Sequence, residues 1–227
     1  SYGNNRWTLS NLRQWLNSQA AAGKCYSAQH CSDAAPTNAN VWSNYNEYDA
    51  EAGFLAGFSA NFIAALLTTT HTVGKATVDG GGTESCADKI FLTTSTEVNL
   101  SGNVTAGSKL ALFSDDSSRL AYGFNVNSPW WWWLADAYAS NSCNVRGVAS
   151  SGALDWDGAY IGGSGVRPLC NLSSGILVSD SPDSDGAYTI IWNRAPSKPS
   201  SITVPSNVRG GESLSISWGA STDEDGD

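Results

Sequence analysis

Few residues in the chain have the types and the spacing that catalysis or metal binding requires. The two histidines, His30 and His71, lie far apart in sequence and in unlike contexts. Cys25, His30 and Cys31 could supply three zinc ligands, but their spacing matches no zinc pattern and a fourth ligand is not evident. The sequence contains no metalloprotease, nucleophile-elbow, phosphate-loop or Cys-x-x-Cys motif. We therefore expect a non-catalytic protein that holds no metal and no cofactor.

Acidic residues cluster at two places, 180–185 and 223–227, where they could bind calcium, which prefers several oxygen ligands. Solvated turn residues are the better interpretation of both clusters. Asp155 and Asp157 flank Trp156 and are too close in sequence to be assigned as an acid/base pair.

The most informative feature is a run of four tryptophans at residues 130–133. Successive side chains of a strand point to opposite faces, so a strand would direct two of the four toward the core and two away from it. The outward pair could anchor a ligand. Alternatively, all four pack beneath loops or against a neighbouring subunit.

The segment that follows this run interleaves short, regular apolar stretches with residues that no folding periodicity requires. These irregular residues mix charge, size and polarity, and we expect them to form one surface borne by loops, where recognition usually occurs. They are Asp136, Cys143, Asn144, Gly147, Ala149, Asp155, Trp156, Asp157, Gly158, Ile161, Gly162, Gly163 and Ser164.

Charge and composition exclude several classes of partner. Lys and Arg number 12 against 21 Asp and Glu, and the net charge of -9 disfavours a nucleic-acid partner. No apolar run approaches the roughly 20 residues that span a bilayer, so we expect no membrane insertion.

The hydrophobic content of 41% excludes disorder. The five cysteines are too few for a disulfide scaffold and are interpreted mostly as small buried hydrophobes, although a Cys25–Cys31 bridge remains open.

Two helices are predicted upstream of the tryptophans. Leu9, Leu12 and Leu16 follow helical spacing, and Thr8 or Ser10 can cap the start of that helix. A second helix is predicted from an apolar residue every four positions, and the β-branched run 68–70 should end it. Its apolar stripe is formed by Phe54, Phe58, Phe62 and Leu66.

Short strands and loops are predicted elsewhere in this region. Residues 72–88 should form a loop centred on three glycines, followed by a buried strand at 90–92. Thr94 and Glu97 fit a capping box that begins a helical turn. After residue 130 the pattern indicates an irregular antiparallel sheet that ends with a strand at 188–192.

The composition changes at a Pro-rich linker, residues 195–199. Beyond it, 202–204 and 214–218 alternate with period two, and the arrangement resembles the opening of a fibronectin-type-III or immunoglobulin-like module. Two strands cannot close a core. We therefore expect domains at 1–194 and 195–227, the second incomplete, in an excerpt of a longer modular surface protein.

An ordered series of short motifs resembles the variable region of diversity-generating retroelement target proteins. The motifs are Trp132-Trp133-Leu134, Asn144-Val145-Arg146, Ser151-Gly152-Ala153-Leu154 and Gly165-Val166-Arg167-Pro168. Segments at 11–17 and 88–92 agree with upstream parts of the same family, and the resemblance covers residues 2–194.

The resemblance implies a C-type-lectin-like fold, related to the formylglycine-generating enzyme, with a variable region at about 132–168. It also implies a ligand-binding surface whose codons are rewritten by adenine-directed mutagenesis. Such changes convert Asn codons into most of the irregular residue types, but not into Trp156. Ala135 stands where an Arg often follows the Trp-Leu of the family. Arg146 and Arg167 are expected to be scaffold residues that donate hydrogen bonds to loop carbonyls or carboxylates.

The same resemblance bears on catalysis and on sugar binding. Formylglycine-generating enzymes use a cysteine pair, whereas Cys143 and Cys170 lie in unlike contexts without close pairing. The carbohydrate motifs of calcium-dependent lectins are missing, so "lectin-like" describes a shape.

We therefore expect an α+β, C-type-lectin-like domain with two helices and an irregular antiparallel sheet, followed by the first strands of an all-β module. Its function would be non-catalytic recognition of a host or environmental surface ligand, protein or glycan, by a phage tail or virion protein. The alternatives are a bacterial surface adhesin or carbohydrate-binding module and, less favoured, a formylglycine-generating-type enzyme. Trp156 and one or two tryptophans of the run would anchor the ligand, with polar specificity from Asp136, Asn144, Asp155 and Asp157. Display as a homo-oligomer on the virion or cell surface would add avidity.

Overall fold

The computed structural model describes residues 5–22, 51–123, 127–192, 196–207, 209–211 and 213–222. The chain divides into two compact units, Ser1–Leu172 and Ser173–Asp227. The residues weighed and disfavoured as zinc ligands, Cys25, His30 and Cys31, lie outside the described residues, and so does the possible Cys25–Cys31 bridge. The acidic cluster at 223–227 lies outside them as well.

The first predicted helix is confirmed. A 3-10 turn at Trp7–Leu9 precedes helix α1, Asn11–Leu16. The hydroxyl of Ser10 accepts a hydrogen bond from the backbone N–H of Arg13 at 3.1 Å, so Ser10 is the N-cap of this helix.

The second predicted helix is wrong in its length. The segment forms a 3-10 turn, Phe54–Gly57, and then a separate helix α2, Ala60–Ala65. The hydroxyl of Ser59 accepts from the N–H of Phe62 at 3.2 Å and so starts α2 anew, while Phe58 adopts an extended conformation. The four-residue spacing instead places Phe58 between the other two rings, edge-to-face with Phe54 and stacked on Phe62.

A β-hairpin replaces the loop that was predicted for residues 72–88. Strand β1, Leu66–Leu67, follows α2 directly, and β2, Thr69–Gly74, pairs antiparallel with β3, Thr83–Asp88. The β-branched threonines that were expected only to end a helix instead begin β2. The three glycines of the connecting turn have φ values of 94°, 63° and 65°, which other residues rarely adopt.

A small antiparallel sheet joins distant parts of the first unit. Its strand order is β1, β8 and β4, where β4 is Ile90–Leu92 and β8 is Pro168–Leu172. The capping box after β4 is confirmed: the N–H of Thr94 donates to Glu97 at 2.8 Å, and the N–H of Glu97 donates to the Thr94 hydroxyl at 3.2 Å.

The tryptophan run leads into a second antiparallel sheet with strand order β5, β6 and β7. These strands are Trp132–Ala137, Asn144–Val148 and Leu154–Gly158, and a short helix α3, Asp116–Arg119, precedes them. Trp132 and Trp133 point to opposite faces, as expected, but each is buried in its own hydrophobic cluster. Both faces of β5 are covered, so neither of these two tryptophans faces solvent.

The second unit contains two short antiparallel pairs. Strand β9, Leu177–Val178, pairs with β10, Ile190–Ile191, and β11, Ile202–Thr203, pairs with β12, Ser217–Trp218. The strand predicted at 188–192 is thus shorter than expected and lies in this unit. Taken together, the described residues have few helices and many antiparallel strands in small sheets, an α+β architecture that is mostly β. Within them, no helix is long and apolar enough to cross a membrane.

Candidate functional site

The β6–β7 hairpin carries an exposed tryptophan and an arginine side by side on one of its two faces. Arg146 on β6 lies directly opposite Trp156 on β7. Tyr138, which follows β5, stacks on Trp156 with ring centroids 4.9 Å apart, and the guanidinium carbon of Arg146 lies 4.7 Å from the centre of the Tyr138 ring. Trp156 remains 45% exposed. We call Tyr138, Asn144, Arg146 and Trp156 the Trp156 patch.

The patch shares a sheet face with part of the core. Side chains on one face of a hairpin follow alternate residues. Val148 and Leu154 are an opposed pair on the same face as Arg146 and Trp156, and they pack into the cluster around Trp132. Beyond this pair, Trp156 is the exposed side chain of the patch, whereas its other members are half-buried.

Arg146 is held by an amide and an aromatic ring. Its Nη2 donates to Oδ1 of Asn103 at 2.7 Å, and the Asn103 side chain in turn donates to the carbonyl of Ala137 at 2.7 Å. Its Nε is buried without a hydrogen-bond partner, and no carboxylate among the described residues pairs with it. The expected loop carbonyl or carboxylate partner is therefore wrong for Arg146. Arg167 also differs from expectation, since its guanidinium lies over the rings of Phe113 and Trp132.

Asp155 and Asp157 point away from the patch. Each uses Oδ1 to accept the backbone N–H of the next residue, Trp156 at 2.8 Å and Gly158 at 2.7 Å. At the two ends of the hairpin, the N–H of Ala149 donates to the carbonyl of Ala153, and the N–H of Ala159 donates to the carbonyl of Cys143. Because hydrogen-bonded pairs alternate along an antiparallel hairpin, the N–H groups of Trp156 and Gly158 face away from β6. The two aspartates thus cap the free edge of the sheet.

Four residues expected on the surface lie inside the first unit instead. Asp136 is 2% exposed and accepts hydrogen bonds from the N–H of Gly74 and from the N–H and hydroxyl of Ser95, at 2.8, 2.6 and 2.6 Å. It fastens β2 and the turn after β4 to β5, so it is not available to a ligand. The other three buried residues are Gly147, Ala149 and Gly158.

The loop after β7 crosses to the opposite edge of β5. Ile161 packs against the core cluster of Trp133, and the indole N–H of Trp130 donates to the carbonyl of Gly163 at 2.8 Å. Gly163 is exposed and Ser164 is half-buried. Since β6 borders the other edge of β5, these residues do not join the Trp156 patch. Gly162 is also half-buried in this loop.

Cys143 is exposed beside the patch. Its thiol contacts Oδ1 of Asn141 at 3.4 Å and Oδ1 of Asn144 at 3.6 Å. Of the irregular residues, the structure therefore brings together Cys143, Asn144 and Trp156. Sequence reasoning missed Tyr138 as a member of this group, and it assigned Arg146 only to the scaffold.

A buried polar cluster that the sequence analysis did not detect surrounds Asp88. Its Oδ2 accepts from the indole N–H of Trp7 and contacts Nε2 of His71, both at 2.9 Å, and its Oδ1 accepts from Nε of Arg13 at 2.8 Å. Burial would raise the pKa of Asp88, but the hydrogen bonds from His71 and Trp7 and the charge of Arg13 outweigh it and hold the pKa below its ordinary value. The cluster joins the N-terminal segment to the β2–β3 hairpin.

His71, Cys86 and Asp88 place potential metal-ligand atoms within 4.8 Å of one another. The oxygens of Asp88 already accept three hydrogen bonds, and Arg13 supplies a positive charge that would repel a cation. Burial raises the pKa of the Cys86 thiol to about 12, whereas a metal requires the thiolate. The donor set therefore fits a structural hydrogen-bond network better than a metal site.

Comparisons with known proteins identify a family for this fold. A family model described as Domain of unknown function (DUF6273) matches residues 1–174, which include all three sheets described for the first unit. Comparisons with curated proteins and with solved structures gave no match. The chain belongs to the DUF6273 domain family.

Proposed function

We propose that the first unit is a non-catalytic ligand-binding domain and that the Trp156 patch is its contact surface. The observation that carries this proposal is an exposed tryptophan held in place by the ring of Tyr138, beside an arginine fixed by Asn103. Trp, Tyr and Arg are the residue types that dominate binding energy at interfaces. A side chain that is already ordered before binding also loses less conformational entropy when the ligand arrives.

The chemistry of the three described thiols supports recognition over catalysis. The thiolate is the nucleophilic form of cysteine. Burial raises the pKa of both Cys86 and Cys170, which makes these thiols poor nucleophiles. Cys143 is exposed, but the side chains in contact with its sulfur are asparagine amides, which cannot act as a general base.

The biological setting is proposed from the sequence motifs. They support a C-type-lectin-like domain of a phage tail or virion protein, diversified by a retroelement, that recognises a host surface ligand. A bacterial surface adhesin is the second setting. The exposed positions Cys143 and Trp156, together with the half-buried Asn144, would then be the ones at which diversification changes ligand specificity.

The test is binding of the labelled full chain to a panel of intact bacterial cells, measured by flow cytometry. Trp156→Ala should abolish the binding that the unmodified chain shows, because it removes the anchor of the patch. Trp218→Ala is the matched control, since Trp218 is 71% exposed and lies in the second unit. Equal binding by the Trp156→Ala and Trp218→Ala variants would overturn the proposal.

A further inference from the structure

Polar and aromatic side chains surround Trp156. Asn144 and Arg146 share its sheet face, and Tyr138 covers one side of its ring. The aliphatic residues of that face, Val148 and Leu154, belong to the core cluster. An exposed indole bordered by amide and guanidinium groups suits a ligand that presents a flat C–H face surrounded by hydrogen-bonding groups. A pyranose ring has this character, because its C–H bonds meet the negative face of the indole and its hydroxyls meet the amides.

The charge of Arg146 narrows the ligand class. The chain has a net charge of -9, yet no carboxylate among the described residues pairs with this guanidinium. The acids of the neighbouring strand, Asp155 and Asp157, alternate with Trp156 along β7 and accept hydrogen bonds from backbone N–H groups at its edge. Nε of Arg146 is buried and one N–H of Nη2 donates to Asn103, so Nη1 and the second N–H of Nη2 are the donors left for a ligand. The strongest partner for such a group is a carboxylate, which accepts two parallel hydrogen bonds.

Resting on the proposed function, we propose that the Trp156 patch binds a carboxylate-bearing sugar, of the uronic-acid or sialic-acid type. The sugar ring stacks on Trp156, its carboxylate pairs with Arg146, and Asn144 contacts a ring hydroxyl. Arg146 and Trp156 are directly opposed on neighbouring strands, so their Cβ atoms are roughly 5 Å apart. That register lets one ligand contact both side chains.

The experiment is isothermal titration calorimetry of the full chain with two acidic probes and their neutral counterparts. The probes are 3′-sialyllactose against lactose, and tetragalacturonate against maltotetraose. At least one acidic probe should bind about tenfold more tightly than its neutral counterpart, the gain expected of one charge-assisted pair. Its affinity should also fall as salt concentration rises. The pair of probes that shows this preference identifies the sialic-acid or the uronic-acid class.

Variants separate the two contacts. Arg146→Gln should remove the preference for the acidic probe, Arg146→Lys should retain part of it, and Trp156→Ala should remove binding of both members of the pair. The matched controls are Arg209→Gln and Trp218→Ala, two exposed residues of the second unit. Melting curves of all variants establish that each is folded.

The sugar inference and the proposed function can fail separately. Equal affinity for acidic and neutral probes, no measurable binding of any probe, or unchanged binding by Arg146→Gln would overturn the inference. If Trp156→Ala still abolished binding to cells, the patch would remain the contact surface, with a ligand of another class. If binding to cells did not depend on Trp156, the proposed function would fall as well.

Discussion

Replacing Asp88 by Asn tests whether the buried cluster holds the first unit together. Asp88 is 3% exposed and accepts hydrogen bonds from Trp7 and Arg13 while it contacts His71. An asparagine has the same shape but offers a single acceptor oxygen, and its amide N–H₂ would face a donor. Breaking a buried charge pair costs about 3–5 kcal/mol, and because Asn keeps some of the contacts we expect about 3 kcal/mol. For a chain of this length, that corresponds to a fall in Tm of roughly 6–12 °C.

Urea unfolding followed by tryptophan fluorescence measures this loss. Asp180→Asn is the control, because Asp180 is exposed and lies outside the cluster, and its free energy of unfolding should change by less than about 0.5 kcal/mol. Equal stability of Asp88→Asn and the unmodified chain at neutral pH would refute the assignment of Asp88 as a structural charge.

The pH dependence of this difference provides a second check. The pKa of Asp88 lies below its ordinary value in the folded protein. Its charge therefore contributes its full stability at pH values above the pKa of an aspartate in the unfolded chain, about 4. That contribution is lost as the pH falls through the folded-state pKa. The gap in stability between the unmodified chain and Asp88→Asn should therefore shrink on acidification. A gap that stays constant between neutral and strongly acidic pH would contradict the argument.

Two further predictions concern the edge and the surface of the β5–β6–β7 sheet. The double variant Asp155→Ala, Asp157→Ala uncaps two N–H groups on the free edge of β7, and an uncapped edge can pair with another chain. Sedimentation velocity should show stronger self-association than the unmodified chain, and an unchanged distribution would rule out edge capping. Among sibling sequences of this locus, substitutions should concentrate at patch positions such as the exposed Trp156 and the half-buried Asn144, spare the buried Asp136, and match a near-copy of the segment beside a reverse transcriptase. Substitutions spread evenly along the chain, or the lack of such a copy, would contradict diversification.

Local features of the fold could be predicted because their causes are local. The cap of α1 depends on Ser10 and the N–H three residues later, and the turn after β4 depends on Thr94 and Glu97, also three residues apart. The second helix could not be predicted in the same way. Leu66 fits the helical stripe, but it pairs with Leu172 in the sheet, and that partner lies far away in sequence.

The contents of the candidate site were predictable only in part, because sequence alone does not tell which irregular residues face inward. Trp133 pairs with Gly147 and Ala137 pairs with Val145, so β5 advances four residues where β6 advances only two. Strand β5 is therefore bulged between Trp133 and Ala137. Asp136 lies within this bulge, and its carboxylate turns to Gly74 and Ser95 inside the unit. Tyr138 joins the patch just beyond the same bulge. The sequence alone therefore does not show that Asp136 turns inward while Tyr138, two residues later, joins the patch.

The side chains that hold the sheet in position differ from the side chain that is exposed at the patch. Asp136 bonds groups of two other elements, and Arg119 donates to the carbonyls of Gly152 at 2.8 Å and Val98 at 3.2 Å, so both hold the sheet in position. By contrast, the Trp156 side chain stacks on Tyr138 and remains 45% exposed. Changing an exposed side chain costs the fold little, within about 0.5 kcal/mol in general. A surface built this way can change its ligand without unfolding its support, which is the physical condition that a binding face of variable specificity must meet.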